Sequence, residues 1–436
     1  MQTFINKCSL VISMINTQDL RRIVLKQKEE MERLDGTIRR DILDEILNWF
    51  KDNRVIILTG IRRCGKSTIL RQIMKEKDNY CYVNFEDERF LDFKAQDFEV
   101  LNEILIELYN NPKIYFFDEI QNIDKFETFV RRLQDEGKKI VITGSNASLL
   151  SREFGTRLTG RYKPFEIFPF SFSEYLKFKN IYFEKDWSYK AQKRVEIKKA
   201  FNEYLELGGF PEYLKTKDKE YIRDVFENIL YKDVISRYGI KKQKIIKELI
   251  SILATNISST FTYNSIKTTL HLGNSITVKE YISYLANSYL FFELPKFDFS
   301  LRKSLNAPKK IYLIDSVFNQ ITGFNFSPNT GKNLENVVFI ELKRRKKDVF
   351  YFSEKGECDF IVKDGAKITQ AIQVCYDFNK ENRDREIKGL LEALNKFKLK
   401  AGFIITFNQE EEFKQEGKKI KVISVGRWLL EKINNN

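Results

Sequence analysis

Short apolar runs alternate with amphipathic segments in the first third of the chain. The runs read as buried strands at 54–59, 80–85, 114–117 and 138–143. The spacing of apolar positions predicts helices between or before these strands, over 19–34, 38–50, 68–74 and 98–109. Strands that alternate with helices favour an α/β fold built on a parallel sheet.

A glycine-rich segment links the first of these strands to its helix. It reads Gly60-Ile61-Arg62-Arg63-Cys64-Gly65-Lys66-Ser67 and leads into Thr68. Strand, glycine-rich turn and helix form the context of a phosphate-binding P-loop, whose N–H groups surround a phosphate. We expect Lys66 to reach the β- and γ-phosphates of ATP and the Ser67 hydroxyl to ligate Mg²⁺. The alternative is a chance match on an ordinary strand–turn–helix.

Two acids follow the third apolar run. Asp118 and Glu119 come directly after the bulky residues 114–117, so a buried strand would present them at its carboxyl end. We expect Asp118 to hold Mg²⁺ and Glu119 to orient or deprotonate the attacking water. An acidic turn after a core strand is the alternative.

Further polar candidates follow the fourth run. Ser145 or Asn146 is placed to contact the attacking water or the γ-phosphate, unless these residues only cap the next helix. Arg157 and Arg161 precede a strand predicted at 165–168. An arginine here would stabilise transition-state charge on the nucleotide of a neighbouring subunit, and we favour Arg161.

Composition narrows the class of protein. The chain has 436 residues, a net charge of +14 and a pI near 9.2, which favours a polyanionic partner, most simply nucleic acid. Five scattered cysteines predict reduced thiols, and the single histidine, His271, excludes a histidine-based metal site or triad. No apolar run approaches the roughly 20 residues that span a bilayer. We therefore expect a cytoplasmic protein without membrane contact.

Lysines gather in the central part of the chain, at positions 241, 242, 244 and 247. Two helices are predicted beyond them, over 262–270 and 277–288, joined by the turn 271–275 and followed by a wing strand at 291–297. Helix, turn and helix is an arrangement that places one helix in a DNA groove. The second helix carries few basic residues, so we expect the lysines to contact phosphates. A fold that serves only as a protein contact is the alternative.

Together these motifs resemble the archaeal and bacterial AAA+-type ATPases, related to signalling NTPases. The residues that carry the resemblance are 60–68, 117–121, 143–146, 160–161, 168–172 and 207–211. It implies an oligomeric ATPase in which Pro211, of the Gly-Gly-Phe-Pro element, lies near the nucleotide; a plain turn between helices is the alternative. The implied domains are an N-terminal extension (1–36), a P-loop core (37–178), a helical lid (179–238), a winged helix (239–310) and a nuclease-like α/β domain (311–436).

The last of these domains resembles the restriction-endonuclease-like fold, in which acids bind Mg²⁺ and a lysine helps to activate water. Glu335 and Asp359 occupy the first two positions of that motif. Gln373 and Cys375 stand where the second acid and the lysine belong, and hard cations favour charged oxygen ligands. We expect a degenerate, catalytically inactive version of this fold.

The sequence therefore predicts a Mg²⁺-dependent ATPase of AAA+ type that couples ATP binding and hydrolysis to work on DNA as a homo-oligomer. Two other classes stay open. One is an ATP-controlled signalling or assembly switch without DNA activity, and the other is an ATP-coupled nuclease.

Overall fold

The buried apolar runs around the glycine-rich segment form a sheet in the structure, a computed structural model that describes residues 16–32, 36–147, 160–322 and 330–431. The strands are β1 Val55–Thr59, β2 Tyr80–Asn84, β3 Ile114–Asp118, β4 Lys139–Gly144 and β5 Tyr162–Glu166. They lie in the order β2-β3-β4-β1-β5, and the β2–β3, β3–β4 and β4–β1 pairs are parallel. The predicted parallel α/β sheet is confirmed, and the carboxyl ends of β1, β3 and β4 share one edge.

The described residues divide into two units. The first holds those in Met1–Thr59, Lys66–Gly144 and Ser148–Phe165, and the second those in Gly60–Gly65, Ser145–Ala147 and Glu166–Asn436. The five predicted domain boundaries stay a prediction. No helix in the described residues is both long enough and apolar enough to cross a bilayer.

Helices of the first unit cover the sheet with apolar faces. They are α1 Thr17–Glu32, α2 Leu43–Asn48, α3 Lys66–Lys75, α4 Phe98–Leu108 and α5 Phe126–Asp135. The core on one side is aromatic: Phe98 stacks on Phe129 with ring centroids 4.4 Å apart, and Phe117 contacts both Phe85 and Phe129. Each such buried ring contributes about 1.5–3 kcal/mol, so β3 is firmly anchored where it delivers its acids.

The helix predicted over 38–50 is shorter than expected. Only Leu43–Asn48 is α-helical, followed by a 3₁₀ turn over Trp49–Lys51. The preceding backbone is bound instead by Gln72, whose amide donates to the Ile38 carbonyl at 2.7 Å and accepts from the Arg40 N–H at 3.1 Å. This tertiary contact replaces the hydrogen bonds of a helical turn, and the sequence spacing gave no sign of it.

Helices of the second unit are α6 Phe172–Phe178, α7 Ala191–Leu207, α8 Pro211–Thr216, α9 Lys219–Asn228, α10 Gln243–Thr255, α11 Tyr263–Thr269, α12 Ser275–Asn287, α13 Leu301–Asn306, α14 Val317–Thr322, α15 Thr330–Arg344, α16 Arg383–Lys396 and α17 Val425–Leu430. A π-helix over Ile229–Ser236 continues α9. Such helices are rare and often mark functional positions.

The described part of the second unit contains two sheets. One has the order β6-β8-β7, from β6 Thr260–Phe261, β7 Phe291–Pro295 and β8 Lys309–Leu313. The other has the order β13-β14-β12-β11-β10-β9, from β9 Asp348–Ser353, β10 Glu357–Asp364, β11 Lys367–Val374, β12 Ala401–Thr406, β13 Glu411–Gln415 and β14 Lys418–Ser424. Edge strand β13 exposes Glu411, Glu412 and Lys414. The helices and strands predicted in these regions are present, whereas their winged-helix and nuclease-like identities stay predictions.

Candidate functional site

The backbone of the glycine-rich loop explains its glycines. Gly60 follows β1 with φ of 152°, and a Cβ there would lie 2.1 Å from the Ile167 carbonyl oxygen. Gly65 has φ of 102°, and Arg63 adopts a left-handed φ of 67°. Left-handed residues in such loops turn successive N–H groups toward one side, which favours anion binding. A side chain at position 60 would collide with backbone, so this turn requires glycine.

The side chains within the loop differ in exposure. Ile61 and Cys64 are fully buried, and the Cys64 N–H donates to the Ile61 carbonyl at 3.3 Å. Arg63 is exposed. Of the predicted cofactor-binding residues, Ile61 and Cys64 thus keep their side chains inside the protein.

Arg62 forms an ion pair that the sequence did not predict. Its Nε donates to Asp233 Oδ2 at 2.9 Å and its Nη2 donates to Oδ1 at 3.0 Å. Asp233 lies on the π-helix and is 2% exposed, and Ser145 Oγ donates to the same carboxylate at 3.4 Å. A bidentate, buried pair of this kind fixes orientation as well as adding energy. It connects a loop arginine to the helical segment predicted as the lid.

Lys66 is buried at the start of α3. Its Nζ lies 3.3 Å from Glu119 Oε1, and the two side chains are 4% and 9% exposed. A buried ammonium needs a carboxylate or phosphate partner, because an unpaired charge in this environment is costly. Lys66 and Glu119 were predicted to act at one site, and the structure brings them together.

Asp118 ends β3 among hydroxyl groups. Its Oδ2 accepts from the Tyr82 hydroxyl at 3.2 Å, its Oδ1 accepts from the Thr143 hydroxyl, and Ser67 also hydrogen-bonds to it. Burial raises the pKa of Asp118 and the neighbouring Glu119 raises it further, whereas the Thr143 and Ser67 hydroxyls oppose this rise. The two residues predicted to hold Mg²⁺, Ser67 and Asp118, are in contact.

Glu119 has a left-handed backbone with φ of 50°. Its N–H donates to Thr143 Oγ1 at 2.9 Å, and its carboxylate accepts from the Gln121 amide. Since Thr143 also donates to Asp118, one hydroxyl on β4 holds both the Asp118 carboxylate and the Glu119 backbone. No role was predicted for Thr143, although it is a polar residue near the end of an otherwise apolar strand.

Asn146 lies in the second unit and is fully buried. Its Nδ2 donates to the Tyr238 hydroxyl at 3.4 Å, and Asn287 donates to the same oxygen at 3.1 Å. The Tyr238 ring stacks on Tyr284 of α12 with centroids 3.9 Å apart. These contacts tie Asn146 to α12, and its predicted contact with the attacking water stays a prediction.

Arg161 lies at the edge of the sheet where β1 begins. Its carbonyl accepts from the N–H of Val55, the first residue of β1, and its guanidinium contacts Asp135 at 2.5 Å. The side chain is 45% exposed. An arginine at the edge where β1 begins cannot reach a phosphate bound beyond the end of the same strand. The other candidate, Arg157, lies outside the described residues.

The Gly-Gly-Phe-Pro element forms a tightly packed turn. A Cβ at Gly208 would lie 1.8 Å from Asp315 Oδ1, and one at Gly209 would lie 2.4 Å from the Phe170 carbonyl oxygen. The Gly209 N–H donates to Asp315 Oδ2 at 2.7 Å, and Pro211 opens α8. Packing alone therefore accounts for both glycines, as the alternative of a plain turn between helices requires.

Two family matches cover separate parts of the chain. Residues 52–176 match the family described as AAA domain. Residues 198–325 match a family described as a domain of unknown function, DUF8612. The first match confirms the predicted AAA-type domain around the glycine-rich loop.

Relatives cover nearly the whole chain. The uncharacterized protein MJ1544 of Methanocaldococcus jannaschii is 36% identical over 441 residues, which span 96% of this chain and 97% of the relative. An uncharacterized protein of Haemophilus influenzae is 32% identical over 418 residues, spanning 90% and 98%. Among solved structures, the Walker-type ATPase of Pyrococcus abyssi is similar over 67% of this chain and 99% of its own, with a TM-score of 0.41 and 16% identity.

Proposed function

This chain belongs to one family with the Methanocaldococcus jannaschii protein MJ1544, and from that premise and its AAA domain we propose that it is a Mg²⁺-dependent ATPase. One observation carries the proposal. Lys66, Asp118 and Glu119, all buried, and the half-buried Ser67 form a single group where β3 ends and α3 begins, directly after a loop with P-loop sequence. This combination of cation, hydroxyl and two carboxylates is the set that phosphoryl transfer requires.

Each residue has a distinct role in the proposal. The loop amides and Lys66 bind the triphosphate, and Lys66 then shares its charge between the γ-phosphate and Glu119. Glu119 accepts a proton from the attacking water, while Thr143 holds its backbone N–H and the Gln121 amide donates to its carboxylate. The Arg62–Asp233 pair holds the loop arginine in one position.

Oxygen donors fit the implied magnesium. Ser67 and Asp118 would hold the ion, because Mg²⁺ prefers hydroxyl, carboxylate and phosphate oxygens. When bound, Mg²⁺ neutralises charge on the β- and γ-phosphate oxygens. Few protein ligands are needed, since water and phosphate complete the coordination of Mg²⁺ in such sites.

Turnover of ATP tests the proposal directly. We expect hydrolysis that requires Mg²⁺ and is abolished in Lys66→Ala together with ATP binding. Lys75→Ala, an exposed lysine at the end of the same helix, is the matched control and should bind and hydrolyse ATP normally. Full ATP affinity in Lys66→Ala would contradict the proposal.

DNA is the proposed polyanionic partner. The net charge of +14 supports it, as do the exposed side chains of Lys241, Lys242 and Lys244. Lys244 and Lys247 line a groove of about 940 Å³ between α10 and the end of α11, with His271 at its other wall. Glu248, whose Oε1 lies 3.8 Å from Lys244 Nζ, also lines this groove. Exposed lysines beside a helix–turn–helix arrangement suit contact with a phosphate backbone.

The effect of DNA on ATP turnover, and the salt dependence of DNA binding, distinguish work on DNA from the assembly switch. We expect duplex, branched or single-stranded DNA to stimulate turnover, with an affinity that falls steeply as salt rises. Lys244→Gln should weaken binding uniformly across sequences and lower the salt slope by about 1. ATP-dependent self-association without any DNA effect would instead favour the assembly switch.

Arg161 has a role in catalysis only in the proposed oligomer. Since Arg161 lies at the far edge of its own sheet, we propose that it acts on the nucleotide of a neighbouring subunit. Mixing Arg161→Ala subunits with Lys66→Ala subunits tests this. Restored ATP turnover in the mixture supports action in trans, and a mixture that stays inactive contradicts it.

A further inference from the structure

A lysine occupies the centre of the acidic cluster in the second unit. Lys310 of β8 is 1% exposed, and its Nζ lies 2.8 Å from Asp359 Oδ1 and 3.1 Å from Glu335 Oε1. Glu357 Oε1 lies 2.8 Å from the same nitrogen. Three carboxylates from α15 and β10 thus converge on one ammonium.

The oxygens of the two buried acids have further partners. Asp359 Oδ2 accepts from the Val374 N–H at 2.9 Å, and Glu335 Oε1 accepts from the Tyr312 hydroxyl at 2.7 Å. Asp359 therefore uses one oxygen for Lys310 and the other for the backbone of β11. A metal ion at this cluster would have to displace the ammonium to reach them.

Residues at the other two motif positions face different partners. Gln373 Oε1 accepts from the Asp359 N–H at 3.2 Å, and its Nε2 donates to Glu386 at 2.7 Å. Cys375 Sγ lies 3.1 Å from the Asp377 carbonyl oxygen. The Gln373 amide is thus engaged on both sides and supplies no negative charge. Within the described residues, no group of three His, Cys, Asp or Glu residues could hold a metal ion.

These residues do not fit the Mg²⁺ that the nuclease-like resemblance implies. We propose that the Lys310 ammonium is the permanent cation of the Glu335–Asp359 cluster, so that this cluster binds no divalent metal and the domain is not a metal-dependent nuclease. An ammonium among three carboxylates supplies the charge compensation that a metal would give, without open coordination positions for water or phosphate.

The same cation joins two sheets. Lys310 belongs to the sheet β6-β8-β7, whereas its partners lie on β10 of the other sheet and on α15. Burial alone would lower the pKa of Lys310, but Asp359 and Glu335 raise it well above the ordinary value. The charge is thus retained, and the ion pairs connect the lysine-bearing sheet to the domain that follows it.

Manganese binding tests the proposal in the full-length protein without nucleotide. We expect Mn²⁺ titrations, followed by electron paramagnetic resonance, to give the same curve for the wild type and Asp359→Asn. A one-to-one Mn²⁺ site in the wild type that Asp359→Asn removes would overturn the proposal. Mg²⁺-dependent DNA cleavage lost in Asp359→Ala would overturn it as well.

Lys310→Met supplies the complementary test. The variant keeps most of the side-chain volume, so the thermal unfolding midpoint should fall by several degrees from loss of charge alone and should recover in part when Mn²⁺ is added. If the single variant does not fold, the triple variant Lys310→Met, Glu335→Gln, Asp359→Asn should fold again, because it removes the three buried charges and leaves only the exposed Glu357 carboxylate. A Lys310→Met protein with wild-type stability and no Mn²⁺ response would contradict the proposal.

Discussion

Two buried lysines in this chain stand among carboxylates, and their surroundings differ. Lys66 pairs with Glu119 at 3.3 Å, while the neighbouring Asp118 is held by the hydroxyls of Thr143, Tyr82 and Ser67. Around Lys310, by contrast, three carboxylate oxygens lie within 3.1 Å of the lysine Nζ. Where hydroxyl groups orient the acids, the ammonium can change partners. Where the ammonium orients the acids, it is a fixed part of the fold.

The largest expected effect comes from Glu119. Glu119→Gln should lower ATP turnover about 10²–10⁴-fold, because an amide cannot accept the proton of the attacking water. ATP binding, measured by equilibrium dialysis, should persist. Glu86→Gln, at an exposed position, is the control and should retain turnover. Unchanged turnover in Glu119→Gln would mean that this cluster, like the one around Lys310, is structural.

Stability should rank the two lysines in the opposite order from activity. Removing one partner of a buried ion pair typically costs about 3–5 kcal/mol, and Lys310→Met leaves three carboxylates without their cation. We expect Lys66→Met to cost less, since it removes the cation from one carboxylate, Glu119, which keeps its bond from the Gln121 amide. Urea unfolding of both variants measures the difference. Equal losses in the free energy of unfolding would remove the distinction between the two clusters.

A third buried acid sharpens the comparison, because backbone amides hold it. Asp315 accepts from the N–H groups of Gly209 and Val317, and burial raises its pKa from 3.8 to about 6. The folded chain therefore binds this proton more tightly than the unfolded chain. Stability from this group is greatest below pH 4 and is lost as the pH rises to about 6.

Asp315→Asn should remove that pH dependence. From pH 4 to pH 7, the wild type should lose up to about 3 kcal/mol of its free energy of unfolding relative to Asp315→Asn. Urea unfolding at several pH values measures it. A difference that stays constant across this range would show that Asp315 titrates normally and that its two amide bonds balance its burial.

The smallest effect on stability is expected at Arg161. Its contact with Asp135 is a surface pair with both side chains about half exposed, so Arg161→Ala should cost about 0.2–1 kcal/mol. A loss of ATP turnover that this small loss of stability cannot explain would show that Arg161 has a role beyond its pair with Asp135. Unchanged turnover would leave Arg161 with a surface role only.

Local patterns predicted some of these features and missed others. The glycine-rich segment, Asp118 and Glu119 were found because each is contiguous and flanked by apolar strands. Lys310 was missed, since its partner Asp359 lies 49 residues further on and nothing in a strand sequence marks a buried lysine. Asp233 was missed for the same reason, being 171 residues from Arg62. Long-range ion pairs depend on topology, which the spacing of apolar positions does not specify.

Edge strand β13 has a consequence for assembly. Because it carries Glu411, Glu412 and Lys414 on exposed positions, a flat strand from another molecule would meet a row of charges there. Addition of a strand to this border is therefore disfavoured, as is amyloid-like growth from it. Subunits that gather around ATP would have to meet through side-chain surfaces elsewhere, leaving this border in contact with water.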